Sequence, residues 1–153
     1  MLSEILTYLA AQLDADLGAS GPYAADSPLR LVQIGRPNPV TLYPSLYLEA
    51  GPTRSSGVEF GHADPSRGIE RTYTVYAYVA VIGASYTAAQ DSLETQAGRL
   101  ELWAWSNDGL GGLASGTEET IRSEPGTWTP RVSGSGNKYQ GILQFPIVVT
   151  TQN

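Results

Sequence analysis

The residues best placed to do chemistry lie between positions 59 and 64. Glu59, His62 and Asp64 set the single histidine of the chain between two carboxylates, as in a general base with an orienting acid. A small hydrolase using His62 is the enzyme reading that follows. No Gly-x-Ser-x-Gly elbow and no cysteine nucleophile accompany the group, and Asp64-Pro65 is ordinary turn chemistry. The simpler reading is three solvated loop residues. Gly109-Leu110-Gly111-Gly112 resembles a phosphate cradle, but it follows a helical pattern where a cradle precedes one, and no lysine is near. Asp14 with Asp16, and Glu118 with Glu119, lack the spacing of an oxygen-ligand metal loop. One histidine and no cysteine exclude a multi-histidine or cysteine-based metal centre within one chain. No catalytic residue, cofactor or metal is expected.

Charge narrows the partners. Fifteen acids against nine bases give a formal charge of −6, and Lys138 is the single lysine. A phosphate-gripping surface is disfavoured. An acidic surface suits instead either plain solubility or a wall that DNA slides past without sticking. No window approaches the ~20 apolar residues of a membrane span. The first twenty residues carry Glu4, Asp14 and Asp16 and lack a basic start, so no signal peptide is read and a cytoplasmic setting is expected.

These residues must be held by a scaffold, and its centre is residues 69–105. Ile69 to Ile82 alternates, with Tyr73, Val75, Ala77, Val79 and Val81 on a core face and Thr72, Thr74, Tyr76 and Tyr78 on the other. After Gly83, Ser85 or Thr87 can cap a helix whose stripe is Ala89, Leu93, Ala97, Leu100 and Ala104. Residues 2–18 form a second amphipathic helix on Leu2, Ile5, Leu6, Leu9, Leu13 and Leu17, with Ser3 as its cap.

Short strands follow at 29–34 and 45–49, and at 120–122, 127–129 and 131–133. Gly134-Ser135-Gly136-Asn137 reads as a hairpin tip. The last strand, 141–151, points Leu143, Phe145, Ile147 and Val149 to one face, and Pro146 makes it an edge strand or marks a bulge. Residues 50–68 hold four glycines, two prolines and three serines, a hairpin extension or a working loop; 107–119 is a second extended loop. The expected fold is one α+β domain over 1–153: a mostly antiparallel sheet with an N-terminal helix and one long helix packed on one face.

Several residues fall outside the predicted core stripes. Tyr76, Tyr78, Trp103 and Trp105 are aromatics of the type interfaces favour, with one tryptophan expected to close the domain's own core. Arg54 and Arg67 in the 50–68 segment, and the exposed edge at Pro146, complete the set of interface candidates.

In pattern and order the chain resembles the tail terminator proteins of long-tailed bacteriophages. The resemblance rests on the helix Leu2–Leu17, the strands within 29–60, the run Arg71-Thr72-Tyr73-Thr74-Val75-Tyr76-Ala77-Tyr78-Val79, the helix Thr87–Ser106 and the ending Gly141–Val149. It spans nearly the whole chain but includes no signature motif. It implies a structural virion protein without catalytic residues: a six-membered ring that caps the tail tube, ends its polymerisation and docks the tail to the neck. Its implied partners are further copies of itself, the tail tube protein, a neck or head-completion protein, and a sheath where the tail contracts. DNA would pass its lumen without specific binding. The implied setting is the virion, after assembly in the host cytoplasm. A neck or head-completion protein on the portal side is the nearest alternative.

Overall fold

Among the described residues, two helices cover one face of a seven-stranded sheet and no element covers the other. The computed structural model describes residues 1–18, 21, 27–57, 69–106, 114–115 and 118–152. The elements run α1 (Leu2–Leu17), β1 (Leu31–Ile34), β2 (Ser45–Gly57), β3 (Ile69–Gly83), α2 (Tyr86–Ser106), β4 (Ala114–Ser115), β5 (Glu118–Pro125), β6 (Thr129–Ser135) and β7 (Lys138–Gln152). The sheet order is β1-β2-β3-β7-β5-β4, with β6 also paired to β7. β1 runs parallel to β2, and the other strand pairs are antiparallel. The fold is α+β, as the sequence predicts.

Alternation and helical period dictate the core. Val75, Ala77, Val79 and Val81 of β3 meet Leu143, Phe145, Ile147 and Val149 of β7 on one face. Leu93, Ala97, Leu100 and Ala104 of α2, with Ile5, Leu9, Leu13 and Leu17 of α1, close over them. α1 lies on the β1–β2 side of the sheet and α2 on the β3–β7 side. Gly141 permits the close approach of α2: a Cβ there would stand 2.8 Å from Val81 Cγ2 and 2.9 Å from Leu93 Cδ1.

The helix ends show one cap as expected and one that differs. Ser85 Oγ accepts the amide of Ala88 at 3.0 Å, an N-cap for α2. Ser3 does not cap α1. Met1 holds the N-cap position without a side-chain bond, and Ser3 lies inside the helix, its carbonyl accepting from Thr7 Oγ1 at 2.8 Å.

Two sequence expectations about strands are corrected. The strand expected over 45–49 continues to Gly57, so residues 50–57 extend the hairpin and are not loop. Gly51 and Pro52 broke the pattern because the strand passes them as an irregularity in register between Ala50 and Thr53. Within the 107–119 segment, Ala114–Ser115 pairs with Glu118–Glu119 as strands.

A further correction concerns Pro146, which is not on an edge. β7 is central, with β3 on one side and β6 then β5 on the other. The amide of Gly126 donates to the Pro146 carbonyl at 2.8 Å, which places that carbonyl on the β5–β6 side. The N and C=O of one strand residue point the same way, so the proline's missing donor faces the corner where β7 exchanges β6 for β5. No β3–β7 hydrogen bond is lost.

Candidate interaction surface

The open face of the sheet is built by the positions that alternate away from the core. Tyr47 of β2 lies opposite Tyr78 of β3, and Tyr78 lies opposite Gln144 of β7. The rings of Tyr47 and Tyr78 stack with centroids 5.1 Å apart and planes 15° apart. Tyr76 tilts against Tyr78 at 6.1 Å. Gln144 Nε2 donates to the Tyr78 hydroxyl at 3.1 Å, which fixes the phenol between two strands. Gly51 makes room for the Tyr76 ring: a Cβ there would stand 2.7 Å from Tyr76 Cε2. These rings form a ridge held by cross-strand packing.

Beside the ridge lies a recess of about 310 Å³ lined by Arg36, Tyr47, Tyr78, Thr129, Arg131, Ile142 and Gln144. A second recess of about 610 Å³ adjoins it, with Arg36 common to both, and runs along Pro37, Asn38, Pro39, Val40, Tyr43 and Gln140. Gln140 Nε2 donates to the Tyr43 hydroxyl at 3.2 Å, tying the 36–43 segment to β7. Tyr47 is only 4% exposed although no helix covers it. Burial pushes its phenol above the ordinary 10.0, the Arg36 cation opposes this, and Glu49 and Tyr78 add to the rise. The Tyr47 hydroxyl is therefore neutral across the physiological range, while Arg36 and Arg131 are exposed cations. The recess can receive carboxylates or other anions and flat apolar groups. Its described lining residues include no nucleophile paired with a base.

The predicted interface residues separate into two groups. Tyr76, Tyr78 and Pro146 lie together on the open face, Tyr76 directly opposite Pro146. Arg54 is exposed on β2 opposite Thr72, further along the same face. Trp105 is 61% exposed and belongs to the other side of the molecule, on the outer surface of α2 beside Leu102 at 55%. Trp103 is a correction: it is fully buried, and its indole donates to Asp16 Oδ2 at 2.7 Å. It serves the domain's own core and cannot meet a partner. Arg67, and the group Glu59, His62 and Asp64, lie outside the described residues.

Sequence reasoning missed Arg36, Tyr47 and Arg131. Tyr47 could have been found, because Leu46-Tyr47-Leu48 alternates and puts the ring opposite the core. Arg36 and Arg131 had no local signal, since their convergence depends on the order of the strands. Among the described residues, no group of three histidines, cysteines or carboxylates could hold a metal ion. No described helix is long and apolar enough to cross a membrane. No protein-family model matches the chain, and no curated protein sequence matches it.

Proposed function

We propose that the chain is a structural virion protein of the tail terminator type, which assembles as a ring on the end of a phage tail tube and stops its growth. The observation that carries this reading is the one-sided layering: a sheet face bearing Tyr47, Tyr76 and Tyr78 beside Arg36 and Arg131 has no covering layer among the described residues. Tyrosine and arginine are enriched among the residues that carry binding energy at protein interfaces. The order of a leading helix, a long strand running directly into a long helix and a closing strand supports the phage assignment through resemblance. A formal charge of −6 is compatible with DNA passing a ring without being held.

The test is assembly. Tail tube protein of the same virus is polymerised with and without the chain and viewed by electron microscopy. The expected result is shorter tubes carrying a ring at one end. Unchanged tube lengths with no ring, together with binding to the head connector, would move the assignment to a neck or head-completion protein. Loss of a hydrolytic activity in a His62→Ala variant would support the enzyme reading instead.

A further inference from the structure

The net charge of the chain is concentrated in its helices. α1 and α2 together hold six acids (Glu4, Asp14, Asp16, Asp91, Glu94 and Glu101) and one base, Arg99. The rest of the chain holds nine acids and eight bases, close to neutral. Arg99 is occupied, donating to the Ser27 carbonyl. Asp16 and Glu101 turn to Trp103 and Trp128, while the exposed Glu4, Asp14, Asp91 and Glu94 make the outer surface of the helix layer acidic, and the opposite side of the molecule presents the Arg36–Arg131 recess.

The outer face of α2 is a single stripe. Asp91, Glu94, Gly98, Leu102 and Trp105 follow at steps of three, four, four and three, and all are exposed. It is acidic at its start and apolar at its end, and a Cβ on Gly98 would meet nothing within 4 Å, so the middle is flat. Along β7 the open sheet face has the complementary order, with Glu49 of β2 flanking its apolar part opposite Tyr76. It begins with Arg36 and Arg131 around Ile142 and continues to Tyr76, Pro146 and Val148. Asp91 to Trp105 spans roughly 21 Å at 1.5 Å per residue. Ile142 to Val148 along β7 spans about 20 Å at 3.4 Å per residue. Neither Arg36 nor Arg131 makes an ion pair with a described residue.

We propose that a second copy of this chain docks the outer face of its α2 on the open sheet face, Asp91 and Glu94 against Arg36 and Arg131, and Leu102 and Trp105 against Tyr76, Pro146 and Val148. The contact is heterologous, front to back. Such a contact repeats from copy to copy and closes into a ring when the rotation per step allows. This inference shares self-association with the ring reading and does not depend on the phage assignment.

Light scattering on charge-reversed variants tests it. The wild type is expected to form a multiple of 16.3 kDa at raised concentration. Arg36→Glu/Arg131→Glu spoils only the front and Asp91→Arg/Glu94→Arg only the back, so each alone should fall to one subunit. Mixed in equal amounts they should associate again, because the back of the first still fits the front of the second. A wild type that stays monomeric at every concentration overturns the proposal. So does a back-reversed variant that keeps the wild-type mass, which would mean sheet-to-sheet pairing. Since the chain has no cysteine, a second readout is direct. Thr129→Cys and Thr95→Cys chains, mixed and treated with a short bismaleimide, should cross-link to each other. Cross-linking of Thr129→Cys only to itself would refute the front-to-back contact. In that case the ring reading survives; failure to cap tubes, conversely, leaves the front-to-back contact untouched.

Discussion

The indole of Trp103 donates to a carboxylate oxygen of Asp16 at 2.7 Å and so joins α2 to α1 across 87 positions of sequence. The two helices sit on different halves of the sheet, and this bond is a polar tie between them inside a shared apolar layer. Trp128 makes the corresponding tie from the β5–β6 corner, donating to Glu101 Oε1 at 2.6 Å.

Replacing Trp103 by Phe should remove that bond and part of the ring volume. A hydrogen bond to a charged group contributes about 1.5–3 kcal/mol, and Asp16 is half-buried, so a loss near the lower end is expected in urea unfolding. Association should be unchanged. Trp105→Ala should give the converse, with stability within about 0.5 kcal/mol of wild type and weakened self-association.

Gly141→Ala tests the seating of α2 on β7. The added methyl would press on Val81 and Leu93, and overpacking of this kind costs about 1–3 kcal/mol. A variant as stable as the wild type would mean that α2 can shift outward without loss. Leu93→Ala is the opposite perturbation at the same contact. It opens a cavity beneath the helix and should cost about 2–5 kcal/mol.

Tyr47 sets an alkaline limit on stability. Below pH 10 both the folded and the unfolded chain keep this phenolic proton. As pH rises past 10, the unfolded chain releases it first, because burial holds the folded value higher. Stability attributable to this group therefore falls from about pH 10 up to the raised folded value. Urea midpoints measured from pH 9 to 11.5 should drop less steeply in Tyr47→Phe than in the wild type. Parallel curves would show that Tyr47 ionises in the folded state as freely as in the unfolded one.

Tyr76→Ala should leave a folded monomer, because the ring is only partly buried and lies over Gly51, away from the core. Its effect should appear in assembly, as a lowered mass by light scattering at fixed concentration. An unaltered mass would remove Tyr76 from the interface.

Periodicity carried most of what the chain reveals before folding. The stripes of α1 and α2 and the inward faces of β3 and β7 follow from spacings of three, four and two, because each position's neighbours lie on its own element. The misreadings share a different cause. Trp103 and Trp105 are two positions apart in one helix, and only the docking of α1, carrying Asp16, makes the first buried and paired. Pro146 has the local chemistry of an edge, yet its missing donor is harmless because β7 changes partner there. The recess was illegible for the same reason. Arg36 and Arg131 are far apart in sequence and meet only because β2, β3, β7 and β6 lie side by side.

The central place of β7 has a consequence for how the chain is made. Translation delivers residues in order, and β7 follows every other described strand in that order. β3 pairs with it from Glu70 to Gly83, and both β5 and β6 have it as a partner. Until residues 138–152 leave the ribosome, β3 is an open edge and α2 has only part of its seat. No sub-assembly of earlier strands can replace this one, so the sheet closes only when β7 is available, after α1 and α2 have been made. Through that interval the nascent chain exposes the Val75, Ala77, Val79 and Val81 face and the unpaired edge of β3, and it is then that a chaperone would find it.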